Sequence, residues 1–132
     1  MKKISIGLIG FGTIGTGVVK LLRDNGDLIS ERIGAEICLK RIADIDIKRS
    51  RGITVNDALL TTDAGDILGD PGIDIVVELM GGYEPARTFI LDAVRRNKHV
   101  VTANKALLAT HGDEIFQNAV RQGVNVGFEA SV

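Results

Sequence analysis

Six residues near the start of the chain, Gly10-Phe11-Gly12-Thr13-Ile14-Gly15, have the types and spacing to hold a phosphate. They follow an apolar run from Ile4 to Ile9 and precede an amphipathic pattern, so they fall where a strand turns into a helix. At such a turn the first glycine lets the chain reverse sharply. The second lets a pyrophosphate approach the backbone, and the third lets the helix pack close to the strand. The phosphates then face free N–H groups and the positive dipole end of the helix. The pattern predicts a dinucleotide site at Gly10, Phe11, Gly12, Thr13, Ile14 and Gly15. A glycine-rich turn that binds nothing is the competing reading, and sixteen glycines in the chain keep it open.

Other residues carry chemistry further along. Asp44 closes an apolar run at 37–43, where a carboxylate can accept hydrogen bonds from ribose hydroxyls. It lies 29 residues past Gly15, against a usual spacing of ~20, and the connection at 26–36 accounts for the excess. An acid there repels a 2′-phosphate and favours NAD. Lys48, Arg49 and Arg51, just beyond, can neutralise such a phosphate, so the lean to NAD leaves NADP open. Asp46 is a competing acid, and a solvated loop carboxylate is the plain alternative for Asp44. Gly81-Gly82 follows another apolar run. It either lets backbone approach a ribose or nicotinamide or forms an ordinary turn before Pro85. Thr102, Asn104 and Lys105 end the next run. A lysine beside a nicotinamide can hydrogen-bond a substrate carbonyl and favour negative charge developing on it. It can instead pass a proton if burial lowers its pKa; otherwise it is a surface lysine at a helix end.

These positions need a scaffold that gathers them. Strands are predicted over 3–9, 37–43, 73–79, 98–103 and 125–128, and helices over 13–25, 63–68, from Pro85 onward, and 113–122. A short element carries Ala106, Leu107 and Leu108. The stretch 26–34 reads as a connection, and 45–61 has no clear pattern beyond an exposed loop at 48–52. Ile14, Val18, Leu21 and Leu22 share one face of the first helix. Ala86, Phe89, Ile90, Ala93 and Val94 form the stripe of the third, and Ile115, Phe116, Ala119 and Val120 that of the last. Consecutive Ile75, Val76 and Val77 suit a strand buried on both faces. His99 is expected at the rim of a strand and His111 in a turn. The alternation predicts a Rossmann-type, doubly wound α/β domain, its mostly parallel sheet carrying helices on both faces. Ligand would bind at the carboxyl ends of its strands.

Composition narrows the function classes. The 132 residues suit one domain with a sizeable core. A net charge of −1 with scattered Lys and Arg offers no surface for nucleic acid or an anionic membrane, and four Phe and one Tyr leave few stacking platforms. The single cysteine, Cys38, cannot form an internal disulfide, which fits a cytoplasmic location. Lys2-Lys3 before an apolar stretch mimics a secretory signal, but five glycines between Ile4 and Val19 and the lack of a cleavage site argue against one. Neither histidine has a partner at metal-ligand spacing, and neither a P-loop nor a serine-hydrolase elbow is present.

Four segments together resemble homoserine dehydrogenase. They are Gly-Leu-Ile-Gly-Phe-Gly-Thr-Ile-Gly at 7–15, Val-Val-Glu-Leu-Met-Gly-Gly-Tyr-Glu-Pro-Ala at 76–86, Lys-His-Val-Val-Thr-Ala-Asn-Lys-Ala-Leu-Leu-Ala at 98–109, and Phe-Glu-Ala-Ser-Val at 128–132. The second and third are the more specific. The resemblance implies interconversion of aspartate β-semialdehyde and homoserine with NAD(P)H, on the route to threonine and methionine. It implies that Gly10, Gly12, Thr13, Ile14 and Gly15 bind the pyrophosphate, and that Thr102, Asn104 and Lys105 lie by the nicotinamide, with Lys105 also near the substrate. It implies that Glu129 and Val132 begin a monovalent-cation site usually occupied by sodium. Many relatives have an arginine at the end of the second strand that can grip a 2′-phosphate. Here Ala43 and Asp44 stand in that place, which supports NAD. A substrate domain, with the second lysine, the acidic residues that hold homoserine and most of a homo-oligomer interface, is expected beyond residue 132. Residues 1–132 alone are expected to bind a dinucleotide with little or no turnover.

Two other functions are compatible with the same residues. One is an NAD-sensing regulatory domain, which shares the fingerprint but has no need of Thr102, Asn104 and Lys105. The other is a different dehydrogenase of the same fold acting on another small carbonyl or amino acid.

Overall fold

Successive residues of the central strands point into two separate cores. Leu8 and Ile42 join Phe11 and Val19 in one. Ile9, Ala43, Val76 and Val100 join Ile67, Ile90 and Ile115 in the other. This period-two alternation, apolar on both sides, is what a sheet sandwiched between helices requires. The computed structural model describes residues 2–48 and 51–128. It runs β1 (Lys2–Ile9), α1 (Thr13–Ile33), β2 (Ala35–Ala43), a 3-10 turn at Asp57–Leu59, β3 (Leu60–Thr61), α2 (Gly65–Leu68), β4 (Ile75–Glu78), α3 (Ala86–Arg95), β5 (His99–Thr102), α4 (Lys105–Gln122) and β6 (Val126–Phe128). The strand order is β3-β2-β1-β4-β5-β6, and every pairing is parallel. This is the doubly wound arrangement expected from the sequence, with the order reversing between β1 and β4.

The helices differ from the sequence reading in instructive ways. Instead of stopping near residue 25, α1 runs on to Ile33 and ends at Gly34, whose φ of 70° suits a glycine cap and whose N–H donates to the Ser30 carbonyl. Gly26 is tolerated inside it, although an interior glycine costs about 1 kcal/mol relative to alanine. The buried face of α1 is Gly15, Thr16 and Val19, whereas Ile14 is 61% and Leu21 53% exposed. Small residues face the sheet because the helix lies close to it, and that proximity sets the helical phase more strongly than the larger apolar side chains do. The short element at 106–108 and the last helix are one continuous α4, and His111 is inside it, edge-on to the Tyr83 ring at 6.3 Å. Ile115 and Ala119 are buried as expected, but Phe116 and Val120 are 41% and 82% exposed. In α3, Ala86, Ile90, Ala93 and Val94 are buried, as the stripe predicted. The two-residue β3, paired with Ile42 and Ala43, was too short to show a periodicity. Arg87 of α3 donates through Nε and Nη2 to both carboxylate oxygens of Glu114 in α4, each at 2.7 Å.

At the amino-terminal edge of the sheet lies Lys98, whose burial the sequence did not reveal. It is 4% exposed. Its ammonium donates to the carbonyls of Asp70 and Ile73, at 2.5 and 2.9 Å, and so ties the turn before β4 to the start of β5. Burial pushes the lysine pKa down from its ordinary value. In the same turn, Lys40 at 2.9 Å and the Gly72 N–H hold the Asp70 carboxyl below the usual carboxylate range. His99 accepts through Nδ1 from the Asn125 N–H at 3.1 Å, linking β5 to the start of β6. Lys98→Met keeps the apolar stem and leaves two carbonyls without their donor. It is expected to lower the unfolding free energy by about 1–3 kcal/mol in urea denaturation. Ligand affinity at the opposite edge should be unchanged, and an unshifted urea midpoint would refute the tie.

Candidate functional site

One row of residues crosses the carboxyl edge of the sheet. Thr61 pairs with Ala43, Ala43 with Ile9, Ile9 with Glu78, Glu78 with Thr102 and Thr102 with Phe128. The candidate residues Gly10, Asp44, Gly81, Gly82, Asn104 and Lys105 all follow this row within four positions of their own strand ends. With strands ≈ 4.8 Å apart, the span from β2 to β5 is roughly 14 Å.

At the end of β1 the glycines have distinct tasks. Gly10 has a φ of 104°, donates to the Ala43 carbonyl at 2.8 Å, and leaves no room for a side chain: a Cβ would stand 2.7 Å from the Met80 nitrogen. A Cβ on Gly15 would run into the Gly10 carbonyl oxygen. Gly12 is the opposite case. A Cβ there would meet nothing within 4 Å, so the space over it is open. Gly12 is also the N-cap of α1, where no side chain caps the helix and the first turn holds no acid. The first helical bond runs from Thr16 N–H to the Gly12 carbonyl at 2.8 Å. The N–H groups of Thr13, Ile14 and Gly15 therefore precede the intrahelical ladder, at the positive end of the dipole. Geometry and electrostatics here suit an anion that reaches the backbone.

Asp44 anchors the other side of this loop. Its Oδ2 accepts from Phe11 N–H at 2.7 Å and its Oδ1 from Asp46 N–H at 2.9 Å. Arg51, with its side chain only 5% exposed, lies 3.7 Å from Asp44 Oδ1. Its guanidinium stacks 4.4 Å over the Phe11 ring and donates to the Phe11 and Asp46 carbonyls. The sequence showed Arg51 only as one cation in an exposed loop, because a residue with no periodic neighbours gives no burial signal. Asp46 does not compete for the place of Asp44; its Oδ1 accepts from Lys48 N–H further along the loop. Beside Asp44 opens a cleft of about 340 Å³, walled by Gly10, Gly12, Leu79, Met80, Pro85 and Phe89. Apolar walls with one carboxylate at the edge fit a flat ring joined to a hydroxylated sugar.

Across the sheet, Gly81 and Gly82 have φ values of 76° and 74°, in the left-handed region that glycine adopts without strain. The Gly82 carbonyl accepts from Asn104 Nδ2 at 2.6 Å, so the glycine pair and the Asn104 side chain are held together. Asn104 also caps α4, its Oδ1 accepting from Leu107 N–H at 3.1 Å. Thr102 is fully buried. Lys105 is the first residue of α4 and is exposed. A cation at a helix N-terminus opposes the dipole, so helix stability does not explain this lysine. Glu78, fully buried at the end of β4, was missed. The available signal was a glutamate inside the apolar run 75–79. Glu129 and Val132 lie outside the described residues. Among the described residues, no helix is long and apolar enough to cross a membrane.

Known proteins share this arrangement. Residues 10–129 match the family model described as homoserine dehydrogenase, NAD binding domain. The homoserine dehydrogenase of Bacillus subtilis is 40% identical over 132 residues, covering 100% of this chain and 30% of that protein. The crystal structure of a homoserine dehydrogenase from Thiobacillus denitrificans superposes with a TM-score of 0.92 at 47% identity, over 100% of this chain and 30% of its own. That of S. aureus gives a TM-score of 0.92 at 41% identity, over 99% and 34%. The chain thus spans about a third or less of the length of these relatives. With the family model matched over nearly its whole length and the glycine loop, cleft and strand-edge row in place, the chain belongs to the family of homoserine dehydrogenase NAD-binding domains.

Proposed function

We propose that this chain is the cofactor-binding domain of an enzyme that interconverts aspartate β-semialdehyde and homoserine with NAD(P)H, on the route to threonine and methionine. The single row of loops at the carboxyl edge of the sheet carries this reading. It sets an anion-binding backbone in the middle, a carboxylate-edged cleft on one side and Thr102, Asn104 and Lys105 on the other. The chain's share of its relatives' length supports a substrate domain following residue 132. A cytoplasmic, homo-oligomeric enzyme that uses neither membrane nor nucleic acid belongs to the same reading. So does the monovalent cation, sodium, at Glu129 and Val132.

The residues present fit a dinucleotide, since Gly12 leaves open space before an uncapped helix end. When bound, the nicotinamide supplies or accepts the hydride. The N–H groups of Thr13, Ile14 and Gly15 hold the pyrophosphate, and Asp44 accepts from the ribose hydroxyls. Thr102 and Asn104 shape the floor of the nicotinamide half. The Lys105 ammonium donates to the substrate oxygen and favours the negative charge that develops on it as the carbonyl is reduced. The carboxylate of Asp44 at the ribose favours NAD over NADP, and Arg51 offsets part of that repulsion.

Three measurements test these assignments. Gly12→Val fills open space without touching the fold, so it is expected to leave the melting temperature within a few degrees while abolishing NADH binding in calorimetry. Retained binding would overturn the dinucleotide site. Asp44→Asn keeps the carboxyl shape and removes its charge. It should shift the NADPH-to-NADH affinity ratio toward NADPH by about tenfold, and a constant ratio would remove the case for NAD. In the full-length protein, Lys105→Met should lower kcat for homoserine oxidation by about a hundredfold or more, with NAD affinity little changed. Full activity in that variant would exclude Lys105 from the reaction.

A further inference from the structure

Glu78 is a charged side chain at the end of β4 with no solvent exposure. The reaction proposed above gives it no task, and burying a carboxylate is expensive unless its oxygens are satisfied. They are satisfied by the loops of the candidate site. Oε2 accepts from the N–H groups of Met80 and Gly81, at 2.9 and 3.2 Å. Oε1 accepts from the Thr102 hydroxyl at 2.6 Å. The Thr102 oxygen in turn accepts from Asn104 N–H at 3.0 Å. Asn104 Nδ2 then donates to the Gly82 carbonyl at 2.6 Å, back on the loop where the chain of bonds began.

The bonds form a closed ring: Glu78 to the Met80–Gly82 backbone, to the Asn104 side chain, through the Asn104 backbone N–H to the Thr102 hydroxyl, and back to Glu78. Such a ring resists displacement more than its separate bonds would, because each member is fixed from two sides. It joins the turn after β4 to the turn after β5, strands paired directly at Glu78 and Thr102. In a sheet of order 3-2-1-4-5-6, each half takes one mononucleotide across the point of reversal. The cleft beside Asp44 crosses from the end of β2 to Leu79 and Met80 after β4, and the ring continues from Met80 toward β5 and β6.

We propose that Glu78 is a positioning residue for the nicotinamide half of the cofactor site, acting through Thr102, Asn104 and the glycine pair. This rests on the dinucleotide reading above. The positive φ values of Gly81 and Gly82 allow the turn, and Glu78 selects the conformation by accepting two successive N–H groups within it. Because Asn104 is also the cap of α4, the ring also fixes the helix start and the backbone of Lys105, whose N–H donates to the Ala103 carbonyl at 3.0 Å. An aspartate cannot span the same distance, and a glutamine offers one acceptor oxygen where the ring uses two.

The test separates the two halves of the cofactor. NADH and ADP-ribose share the adenosine and pyrophosphate, and only NADH carries nicotinamide. In the full-length protein, Glu78→Gln is expected to weaken NADH about tenfold while ADP-ribose changes less than about twofold. It is also expected to lower kcat more than it raises KM for homoserine. Thr102→Val breaks the same ring at one hydroxyl with little change in volume and should give the same split, whereas Thr102→Ser should restore it. Equal loss of both ligands, or no loss of either, in folded Glu78→Gln and Thr102→Val proteins overturns the positioning role while leaving the dinucleotide site intact. A wild-type protein that binds neither ligand overturns both.

Discussion

The contact on which this structure depends is the approach of the α1 N-terminus to the end of β1, where Gly15 lies against the Gly10 carbonyl with no room for a methyl group between them. Everything local follows from that proximity. The face of α1 turned to the sheet must be small, so Gly15 and Thr16 are buried and Ile14 is left outside. The N-terminal N–H groups are held at the sheet edge, where no side chain caps them. Gly10, squeezed against Met80, fixes the gap between the β1 and β4 loops. A backbone built this way presents a fixed set of dipoles to an anion, with little reorganisation required on binding.

Two buried or half-buried carboxylates extend that order to either side. Asp44 takes the Phe11 N–H and draws in Arg51, which stacks on Phe11 and bonds its carbonyl. Glu78 takes two N–H groups of the following turn and the Thr102 hydroxyl. In both places a carboxylate satisfies loop N–H groups that neither a helix nor a sheet ladder could satisfy, which is how irregular backbone is kept in one conformation. The opposite edge of the sheet uses a cation instead. Lys98 satisfies two carbonyls of the turn before β4. The turn before β4 is thereby tied to the start of β5 at the amino-terminal edge, while the carboxyl edge carries the shaped loops.

The overall architecture was legible because it rests on local patterns. Apolar runs of 75–77 and the alternation of runs with helical stripes determined a doubly wound parallel sheet, and Gly10-Phe11-Gly12-Thr13-Ile14-Gly15 determined where its phosphate-binding turn lies. The stripe of α3 was also readable, since all its apolar positions face one core. The stripes of α1 and α4 were read less well. Periodicity reports which residues share a face but not which of two candidate faces the sheet takes, and in α1 that choice was made by a glycine contact.

What the sequence by itself determined was the order of elements, the position of the glycine turn and the identity of the residues at or just after the strand ends: Asp44, Gly81, Gly82, Thr102, Asn104 and Lys105. Only the tertiary structure decided how those residues meet. That Arg51 reaches back 40 positions to Phe11, and that Glu78 bonds to Thr102 across 24, depends on strand order and register. A sequence pattern records neighbours a few residues apart. A hydrogen bond between two strand ends exists only once the parallel ladder has brought Glu78 and Thr102 to the same level.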